Sequence, residues 1–298
     1  MRIIGVAAGK GGVGKTTITV GLARALIELG ARVGILDADI YGPSVPLMLR
    51  QDRFIAERDG KIVPALCEGI EVVSMSHFGQ GAAIVRAPIA NGVITQFLND
   101  VLWSELDYLL IDFPPGTGDV QLTLMQEGNL CGAIVVTTPQ AVVLRDVEKA
   151  MALFHRMNVP ILGVVENMSG FFGSGGGKKL SEEWEVPLLA KIPLEAEVAQ
   201  KCDQAVPFHG EAFEVIARYV AQKSVVSIKE GSLEGIDAEV LQKACPCAAC
   251  KEGAVVRPGV KVVSAEMVGR YGMKVRFDSG CSNGIYGIEL LESLKCSG

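Results

Sequence analysis

The sequence predicts an α/β protein with a mainly parallel sheet covered by helices on both faces, followed by a small α+β domain rich in cysteine. Three observations lead to this prediction. Short runs of Val, Ile and Leu alternate with amphipathic segments over the first 220 residues, and such apolar strands are typical of a parallel sheet buried on both faces. A glycine-rich turn joins the first run to the first helix. After about residue 223, short β-prone runs mix with Gly, charged residues and five of the 8 cysteines.

The first segment, residues 1–223, alternates strands with helices. Strands are predicted at 3–8, 32–36, 108–111, 133–137, 161–165 and 188–192, and helices at 15–29, 88–102, 120–127, 142–157 and 211–221. Residues 52–75 are predicted to hold short extra strands, and the glycine-rich run 173–179 to form a flexible loop. The second segment, 224–298, is predicted to have a short helix at 237–244, with Asp237 as its N-cap, and strands at 260–263 and 273–277.

Composition excludes several classes of protein. Of the 298 residues, 49% are hydrophobic and only 6% are aromatic, which predicts an aliphatic core. The net charge of -6 argues against non-specific binding to nucleic acid or to an anionic membrane. No apolar run approaches the roughly 18 residues of a spanning helix, and the apolar start runs into Gly9 without a signal-peptide cleavage site. We therefore expect a cytoplasmic protein with reduced thiols and with neither nucleic acid nor a membrane as a partner.

A phosphate-binding motif follows the first predicted strand. Residues 9–17 match G-x-x-x-x-G-K-[ST] between a buried strand and a helix, which is the context that the motif needs. Its glycines allow backbone N–H groups to surround phosphate oxygens at the positive end of the helix. Lys15 would reach the β- and γ-phosphates, and the Thr16 hydroxyl would ligate Mg²⁺. The sequence therefore predicts a P-loop NTPase fold that binds ATP with Mg²⁺ through the motif residues Gly9, Lys10, Gly11, Gly12, Val13, Gly14, Lys15, Thr16 and Thr17.

Acidic residues stand at the ends of two predicted strands. Asp37 and Asp39 follow the second strand, and Asp112 ends the third. An α/β sheet builds its nucleotide site at the carboxyl ends of its strands, so Asp112 is predicted to hold Mg²⁺ through water. A helix cap or a solvated turn is the alternative for Asp39 and Asp112. Gly116 and Gly118 predict a loop with enough freedom to respond to the γ-phosphate.

Lys10 is an additional lysine inside the phosphate loop. With it, the motif resembles the deviant Walker A ATPases, a class that includes chromosome-partitioning, division-site, arsenite-pump and nitrogenase iron proteins. The resemblance implies that Lys10 crosses a dimer interface to the partner's nucleotide, and hence a nucleotide-bridged homodimer. It also implies that Asp39 orients the attacking water. The catalytic residues predicted in this way are Lys10, Lys15, Asp39 and Asp112.

Further motifs narrow the resemblance. The stretches 37–44, 107–119, 137–140 and 165–169, in order along residues 1–222, resemble the Mrp/ApbC family of iron–sulfur cluster carrier ATPases. The resemblance implies slow ATP hydrolysis, apo iron–sulfur proteins and assembly factors as partners, and a role for Asn167 in reading adenine. An Asn that merely ends a strand is the alternative for Asn167. One departure concerns the cluster ligands, because members of the family carry a Cys-x-x-Cys pair after Asn-Met-Ser, whereas residues 170–177 read Gly-Phe-Phe-Gly-Ser-Gly-Gly-Gly.

Most cysteines lie near the end of the chain. Cys245, Cys247 and Cys250 place three thiols within six residues, so a tight turn can direct them at one metal ion, and Cys281 is the candidate for the fourth ligand. The region resembles the gamma-butyrobetaine hydroxylase-like N-terminal domain, a small zinc-binding module, and Cys281 falls on the position of that module's histidine. Zn²⁺ is the favoured occupant, because structural zinc adds roughly 10–16 kcal/mol of folding free energy to a module with a marginal core. The alternatives are an iron–sulfur cluster, no metal at all, or Cys296 as the fourth ligand.

Three further cysteines are isolated in the sequence. Cys67, Cys131 and Cys202 lie among apolar or helical residues. Without a secretory signal they are not expected to form disulfides. We predict that each is a small buried hydrophobe.

Three functions compete for this sequence. The first is an ATP-dependent iron–sulfur cluster carrier or scaffold, which the family resemblance implies. The second is a positioning ATPase of the partitioning or division-site type; such proteins need a basic DNA-binding face or an amphipathic membrane helix, and the net acidity argues against both. The third is an ATPase switch with a structural zinc domain that docks clients without carrying a cluster. Metal content distinguishes the first function from the third.

Overall fold

The structure is a computed structural model, and it describes residues 1–78, 87–222, 228–229, 232–233, 236–247, 257–268, 272–279, 284–287, 290–291 and 294. Contacts divide the chain into two units, Met1–Lys223 and Ser224–Gly298. In the part of the chain that is described, no helix is both long and apolar enough to cross a membrane.

One large sheet organises the first unit. The strands of this unit are β1 (Arg2–Ala8), β2 (Val33–Asp37), β3 (Gln51–Arg53), β4 (Ala56–Arg58), β5 (Lys61–Val63), β6 (Ala65–Cys67), β7 (Ile70–Ser74), β8 (Tyr108–Asp112), β9 (Gly132–Thr137), β10 (Ile161–Ser169) and β11 (Leu188–Pro193). The sheet has 9 strands in the order β11-β10-β9-β1-β8-β2-β7-β6-β3. Every pairing from β11 to β7 is parallel, and β6 and β3 continue the edge in antiparallel pairings. The parallel register sets Asp37 at the end of β2 beside Asp112 at the end of β8.

Helices cover both faces of this sheet. They are α1 (Lys15–Glu28), α2 (Ala87–Asn99), α3 (Asp119–Glu127), α4 (Ala141–Arg156), α5 (Gly176–Glu183), α6 (Ala196–Asp203) and α7 (Glu211–Gln222). Helices α1 and α7 pack into one buried apolar cluster, and α2 and α3 pack into a second. In β1, Val6 belongs to the first cluster and Ala7 to the second. Since successive residues of a strand point to opposite faces, the two clusters lie on opposite sides of the sheet. The predicted fold class is confirmed.

The predicted strands and long helices of the first unit are all present, but three segments differ from prediction. The prediction of a flexible loop at 173–179 was wrong in part, because α5 begins at Gly176 inside that run. In the segment 52–75 the short extra strands are confirmed, yet Ile70–Ser74 is a full member of the parallel sheet next to β2. Helix α6 was not predicted at all.

The described residues of the second unit include a short helix, a three-stranded antiparallel sheet and a two-stranded antiparallel sheet. Its elements are β12 (Ile228–Lys229), β13 (Ser232–Leu233), α8 (Ala238–Lys243), β14 (Val262–Val268), β15 (Gly272–Phe277) and β16 (Gly284–Gly287). The three-stranded sheet runs in the order β14-β15-β16. Asp237 caps α8 as predicted, because its carboxylate accepts the N–H groups of Glu239 and Val240. The Tyr286 hydroxyl donates to the Leu241 carbonyl at 2.6 Å and ties the helix to β16 inside a small apolar core.

Candidate nucleotide site and cysteine module

The phosphate loop lies between β1 and α1, and two of its glycines border open space. Gly12 and Gly14 have φ values of 80° and 85°, which side chains rarely tolerate. A Cβ atom added to Gly11 or Gly12 would meet no atom within 4 Å, so open space adjoins the loop at both residues. Gly9 packs directly against the backbone of Asp146 in α4, which fixes the entry to the loop.

Asp112 is the centre of the polar contacts at the start of α1. Lys15 Nζ lies 2.7 Å from Asp112 Oδ2, and both side chains are buried. The Thr16 hydroxyl donates to the same oxygen at 2.8 Å, and the Thr19 hydroxyl donates to Asp112 Oδ1 at 2.7 Å. The structure therefore brings together three of the residues predicted for the site. Thr19 was missed, although its spacing of three residues from Thr16 places both hydroxyls on one face of the helix.

Asp37 organises the segment that follows β2. Its carboxylate accepts hydrogen bonds from the N–H groups of Asp39, Ser44 and Val45 and from the Ser74 hydroxyl, at 3.1–3.2 Å. Burial, and after it the negative charge of Asp112, raises the pKa of Asp37 to about 7. Two like charges thus meet at the carboxyl edge of the sheet.

The other residues predicted for the site have contacts that do not by themselves indicate a role toward a nucleotide. Asp39 is half-buried, and its carboxylate accepts the Gly42 N–H at 3.1 Å. Lys10 is exposed, and Val13 is buried. Burial raises the pKa of the Cys202 thiol in α6, and Thr17, which lies beside that thiol, lowers the pKa by less. The roles of Asp39, Lys10 and Thr17 toward a nucleotide stay predictions.

Asn167 in β10 contacts the phosphate loop directly. Its side-chain amide is buried and donates to the Val13 carbonyl at 2.8 Å. A Cβ atom on Gly14 would overlap this amide. The structure therefore links the end of β10 to the loop, whereas the reading of adenine by Asn167 stays a prediction.

Two glycine variants test this contact. Gly14→Ala and Gly30→Ala both place a side chain at a left-handed backbone position, with φ values of 85° and 86°, and each is expected to lower the free energy of unfolding by about 1–2 kcal/mol. A Cβ atom at Gly30 meets no other atom within 4 Å, whereas at Gly14 it displaces Asn167. We expect only Gly14→Ala to weaken binding of an ATP analogue, by at least about tenfold. Urea unfolding measures the change in stability, and calorimetric titration measures the change in affinity for the ATP analogue. Equal affinity in the two variants would contradict a role for the Gly14–Asn167 contact in nucleotide binding.

Glu166, next to Asn167, holds the turn that replaces the expected cysteine pair. Its buried carboxylate accepts hydrogen bonds from the Ser169 hydroxyl at 2.7 Å, from the Gly177 N–H at 2.6 Å and from the Gly175 N–H. Burial favours the neutral form, but these hydrogen bonds outweigh it and lower the pKa of Glu166. Glu166 was not predicted, although a carboxylate inside an otherwise apolar strand was a signal for it.

The turn itself exposes two aromatic rings. Gly170 N–H donates to the Gly173 carbonyl at 2.7 Å and closes the turn. The side chains of Phe171 and Phe172 are 67% and 41% exposed, and their ring centroids lie 4.7 Å apart. No thiol occurs in this segment. The Cys-x-x-Cys pair expected from the family resemblance is therefore absent at this position.

The cysteine module is described in part. Cys245 is buried and Cys247 half-buried, while Cys250, Cys281 and Cys296 lie outside the described residues. Within the described ranges, no three His, Cys, Asp or Glu side chains gather at a distance suitable for a metal. A Cβ atom added to Gly284 would lie 2.6 Å from Cys245 Sγ. The end of α8 therefore lies against the start of β16, three residues after Cys281.

Gln242 links the segments that border the remaining thiols. Its side-chain N–H donates to the Ser279 hydroxyl at 2.6 Å, and its carbonyl oxygen accepts the Arg257 N–H at 2.9 Å. Ser279 precedes Cys281 by two residues, and Arg257 follows Cys250 by seven. The chain on either side of the predicted ligands thus converges on one buried glutamine.

The isolated cysteines follow the prediction in two cases out of three. Cys67 and Cys202 are buried, and burial raises the pKa of Cys67 to about 11. The prediction for Cys131 was wrong, because this side chain is exposed. Cys131 lies just before β9, at the amino end of the strand, where the sheet no longer covers it.

Comparison with known proteins agrees with this geometry. Residues 1–228 match the family described as NUBPL iron-transfer P-loop NTPase, and residues 220–292 match the family described as gamma-butyrobetaine hydroxylase-like, N-terminal. The iron-sulfur cluster carrier protein of Deinococcus radiodurans is 45% identical over 253 residues, which cover 77% of this chain and 72% of that protein. The corresponding protein of Haemophilus influenzae is 46% identical over 69% of this chain and 60% of its own length. The Fe-S cluster assembly factor HCF101 of Arabidopsis thaliana is 44% identical over 69% of this chain and 41% of its own length.

Solved structures share the fold of the first unit. A nucleotide-binding protein of Archaeoglobus fulgidus in complex with ADP superposes with a TM-score of 0.62 at 35% identity, over 72% of this chain and 90% of that one. The cell division ATPase MinD of Pyrococcus furiosus superposes with a TM-score of 0.58 at 26% identity, over 75% of this chain and 99% of that one. The motifs, the P-loop geometry and these matches agree, and the chain belongs to the family of NUBPL-type iron-transfer P-loop NTPases, with a gamma-butyrobetaine hydroxylase-like N-terminal region following the NTPase region.

Proposed function

We propose that the chain is an ATP-hydrolysing iron–sulfur cluster carrier that works in the cytoplasm as a nucleotide-bridged homodimer. The observation that carries the proposal is the convergence of Lys15, Thr16 and Asp112 at the start of the helix that follows an open phosphate loop. These three side chains supply an ammonium, a hydroxyl and a carboxylate. Beside the glycines of the phosphate loop (Gly9, Gly11, Gly12 and Gly14, here called the glycine cradle), they form the set of groups that a magnesium nucleotide requires. The relatives named as carriers and assembly factors support apo iron–sulfur proteins and assembly factors as partners.

The residues of the site fit ATP and Mg²⁺. Mg²⁺ prefers oxygen ligands, and the Thr16 hydroxyl and the Asp112 carboxylate offer them side by side. When bound, Mg²⁺ neutralises the charge that develops on the phosphates during transfer. Lys15 then exchanges its contact with Asp112 for the β- and γ-phosphates, the glycine cradle donates N–H groups to phosphate oxygens, and Asp39 orients the attacking water.

Lys10 completes this site from the partner subunit. Because its side chain is exposed, it is available to a nucleotide held by a second copy of the chain. A cation supplied in trans stabilises the charge of the transition state for phosphoryl transfer. Hydrolysis in a single chain would therefore be slow, and dimerisation would set the rate.

The thiols of the second unit are the candidates for a metal centre. The turn after Asn167 contains no cysteine, and Cys245 lies against the strand that follows Cys281. We assign Cys245, Cys247, Cys250 and Cys281 as the ligand set. Four thiolates satisfy either Zn²⁺ or an iron–sulfur cluster, so a cluster carried here would take the place of the missing pair. The aromatic turn favours a second candidate function, in which Zn²⁺ stabilises the module and the ATPase docks clients without carrying a cluster.

Replacing Cys247 with serine is expected to release the metal and unfold the second unit, because removing one ligand of a four-thiolate site removes most of the metal-dependent folding free energy. ATP hydrolysis by the first unit should persist. The measurement is iron, zinc and acid-labile sulfide analysis with a visible spectrum, on protein purified without oxygen.

Cys131→Ser is the matched control, since it removes an isolated and exposed thiol from the first unit. Iron with sulfide that is lost in Cys247→Ser and kept in Cys131→Ser would support cluster carriage by the module. Zinc without iron would support the structural zinc site. Retention of stoichiometric metal by Cys247→Ser would refute the ligand set.

A further inference from the structure

The segment that carries Asp39 is held at both ends by one buried carboxylate. Asp37 Oδ1 accepts the Asp39 N–H at 3.2 Å, and Asp37 Oδ2 accepts the N–H groups of Ser44 and Val45 at 3.1 and 3.2 Å. Val45 is fully buried and begins a short 3₁₀ helix. The loop from 38 to 45 is therefore anchored at both ends by one side chain, and Asp39 and Ser44 share that anchor.

Ser44 joins this loop to the magnesium-binding hydroxyl. Its own hydroxyl donates to Thr16 Oγ1 at 3.2 Å, while Thr16 donates its proton to Asp112 at 2.8 Å. A hydroxyl has one proton and two lone pairs. Ser44 thus approaches Thr16 on its lone-pair side, which is the side that a cation must use.

We propose that Ser44 is a positioning residue for ATP hydrolysis, which couples occupation of the Thr16 cation site to the placement of Asp39. The inference rests on the proposed Mg-ATP function. Ser44 acts through two neighbours. Its hydroxyl contacts Thr16, the proposed Mg²⁺ ligand, and its backbone N–H bonds to the Asp37 carboxylate that also accepts the Asp39 N–H. It contributes to placing the attacking water and does not contact the phosphates.

Ser44→Ala tests the proposal. We expect kcat to fall about 10- to 100-fold, the range that a misplacement of about 1 Å produces, and the Mg²⁺ concentration for half-maximal turnover to rise. Binding of a fluorescent ATP analogue without Mg²⁺ should be unchanged, because Lys15 and the glycine cradle remain. Paramagnetic resonance of bound Mn²⁺ reports the cation site independently of turnover.

Two further variants separate positioning from loss of structure. Ser44→Thr keeps the hydroxyl and should restore most of the turnover. Ser76→Ala removes an exposed hydroxyl that contacts Ser74, one step further from the site, and should leave the Mg²⁺ dependence unchanged. In an Asp39→Ala background, Ser44→Ala should lower kcat by less than about twofold more, since residues that act as a unit are not additive.

Each outcome decides one point. Wild-type turnover and Mg²⁺ dependence in Ser44→Ala would overturn the proposal. Loss of analogue binding without Mg²⁺ would also overturn it, because Ser44 would then only support the fold of the loop. Failure of the proposed function is recognised separately, by full activity in Lys15→Ala.

Discussion

Replacing Lys15 with alanine is expected to lower Mg-ATP turnover by roughly 10²–10³-fold, the loss typical of removing one electrostatic donor from a transition state. Lys15 Nζ lies 2.7 Å from Asp112 Oδ2 inside the protein, so the substitution removes the cation that we propose for the phosphates. Among the described residues, it also leaves the Asp112 carboxylate with the hydroxyls of Thr16 and Thr19 as its side-chain partners. Phosphate release and calorimetric titration with an ATP analogue measure the two consequences.

Lys201→Ala is a matched control for this experiment. Lys201 forms an ion pair of the same length, 2.7 Å, with Glu197 on the surface of α6. An exposed ion pair contributes little to stability, and Lys201 is not part of the phosphate loop. We expect it to hydrolyse ATP at the wild-type rate, and undiminished turnover in Lys15→Ala would refute the nucleotide site.

Replacing Lys10 with alanine is expected to abolish ATP-dependent dimerisation and to lower turnover by about 10³-fold or more, the range reported for cations supplied in trans. The folded monomer should be unaffected, because Lys10 is exposed. Analytical ultracentrifugation with and without an ATP analogue, together with turnover as a function of protein concentration, measures both effects.

Mixing the two lysine variants makes the test sharper. In a mixed dimer, the Lys10→Ala subunit keeps Lys15 and receives Lys10 from the Lys15→Ala subunit, so one of the two sites is complete. Because neither variant is expected to form ATP-bridged dimers with itself, every dimer in an equal mixture is mixed and has one complete site of two. Mixing should therefore restore up to about half of wild-type turnover, which neither variant shows alone. A Lys10→Ala variant that hydrolyses ATP normally would refute the role across the dimer.

The sheet was predictable because its strands are buried on both faces and read as apolar runs. The end of β10 was not, since the sequence there turns to Glu166 and Asn167. Their polar side chains are accepted in the strand because N–H groups of Gly175 and Gly177 and the Val13 carbonyl satisfy them. These partners lie either far away in the sequence or in a glycine-rich run. In both cases the hydrophobic periodicity used to predict strands and helices gives no information about them. Helix α5 was predicted as a loop because its first residues are glycines. The N–H groups of Gly175, at its N-cap, and of Gly177 bond to Glu166, a contact that the local sequence does not reveal.

The core of the site was predictable to the extent that a motif defines it. Lys15, Thr16 and Asp112 were each placed from a motif and a strand end, and the fold brings them together. The helical spacing places Thr19 on the same face as Thr16, but its contact with Asp112 depends on how α1 meets the end of β8. The contact of Ser44 with Thr16 depends on how α1 meets the segment after β2, which follows from the fold and not from local sequence. Cys131 shows the opposite failure, because a general tendency of cysteine to be buried was applied to a position at the amino end of a strand.

The neighbouring carboxylates of Asp37 and Asp112 have a consequence for proton linkage. The pKa of Asp37 is raised from 3.8 to about 7, so between these values the folded chain holds a proton that the unfolded chain has released. The contribution of this group to stability is therefore fully present below about pH 3.8 and is lost as the pH rises to about 7. At neutral pH the ionised carboxyl works against folding, and the Mg²⁺ proposed to bind beside Asp112 would offset the repulsion that a proton offsets in acid. The carboxyl edge of the sheet, where we propose that the nucleotide binds, is thus an edge whose stability responds to both protons and cations.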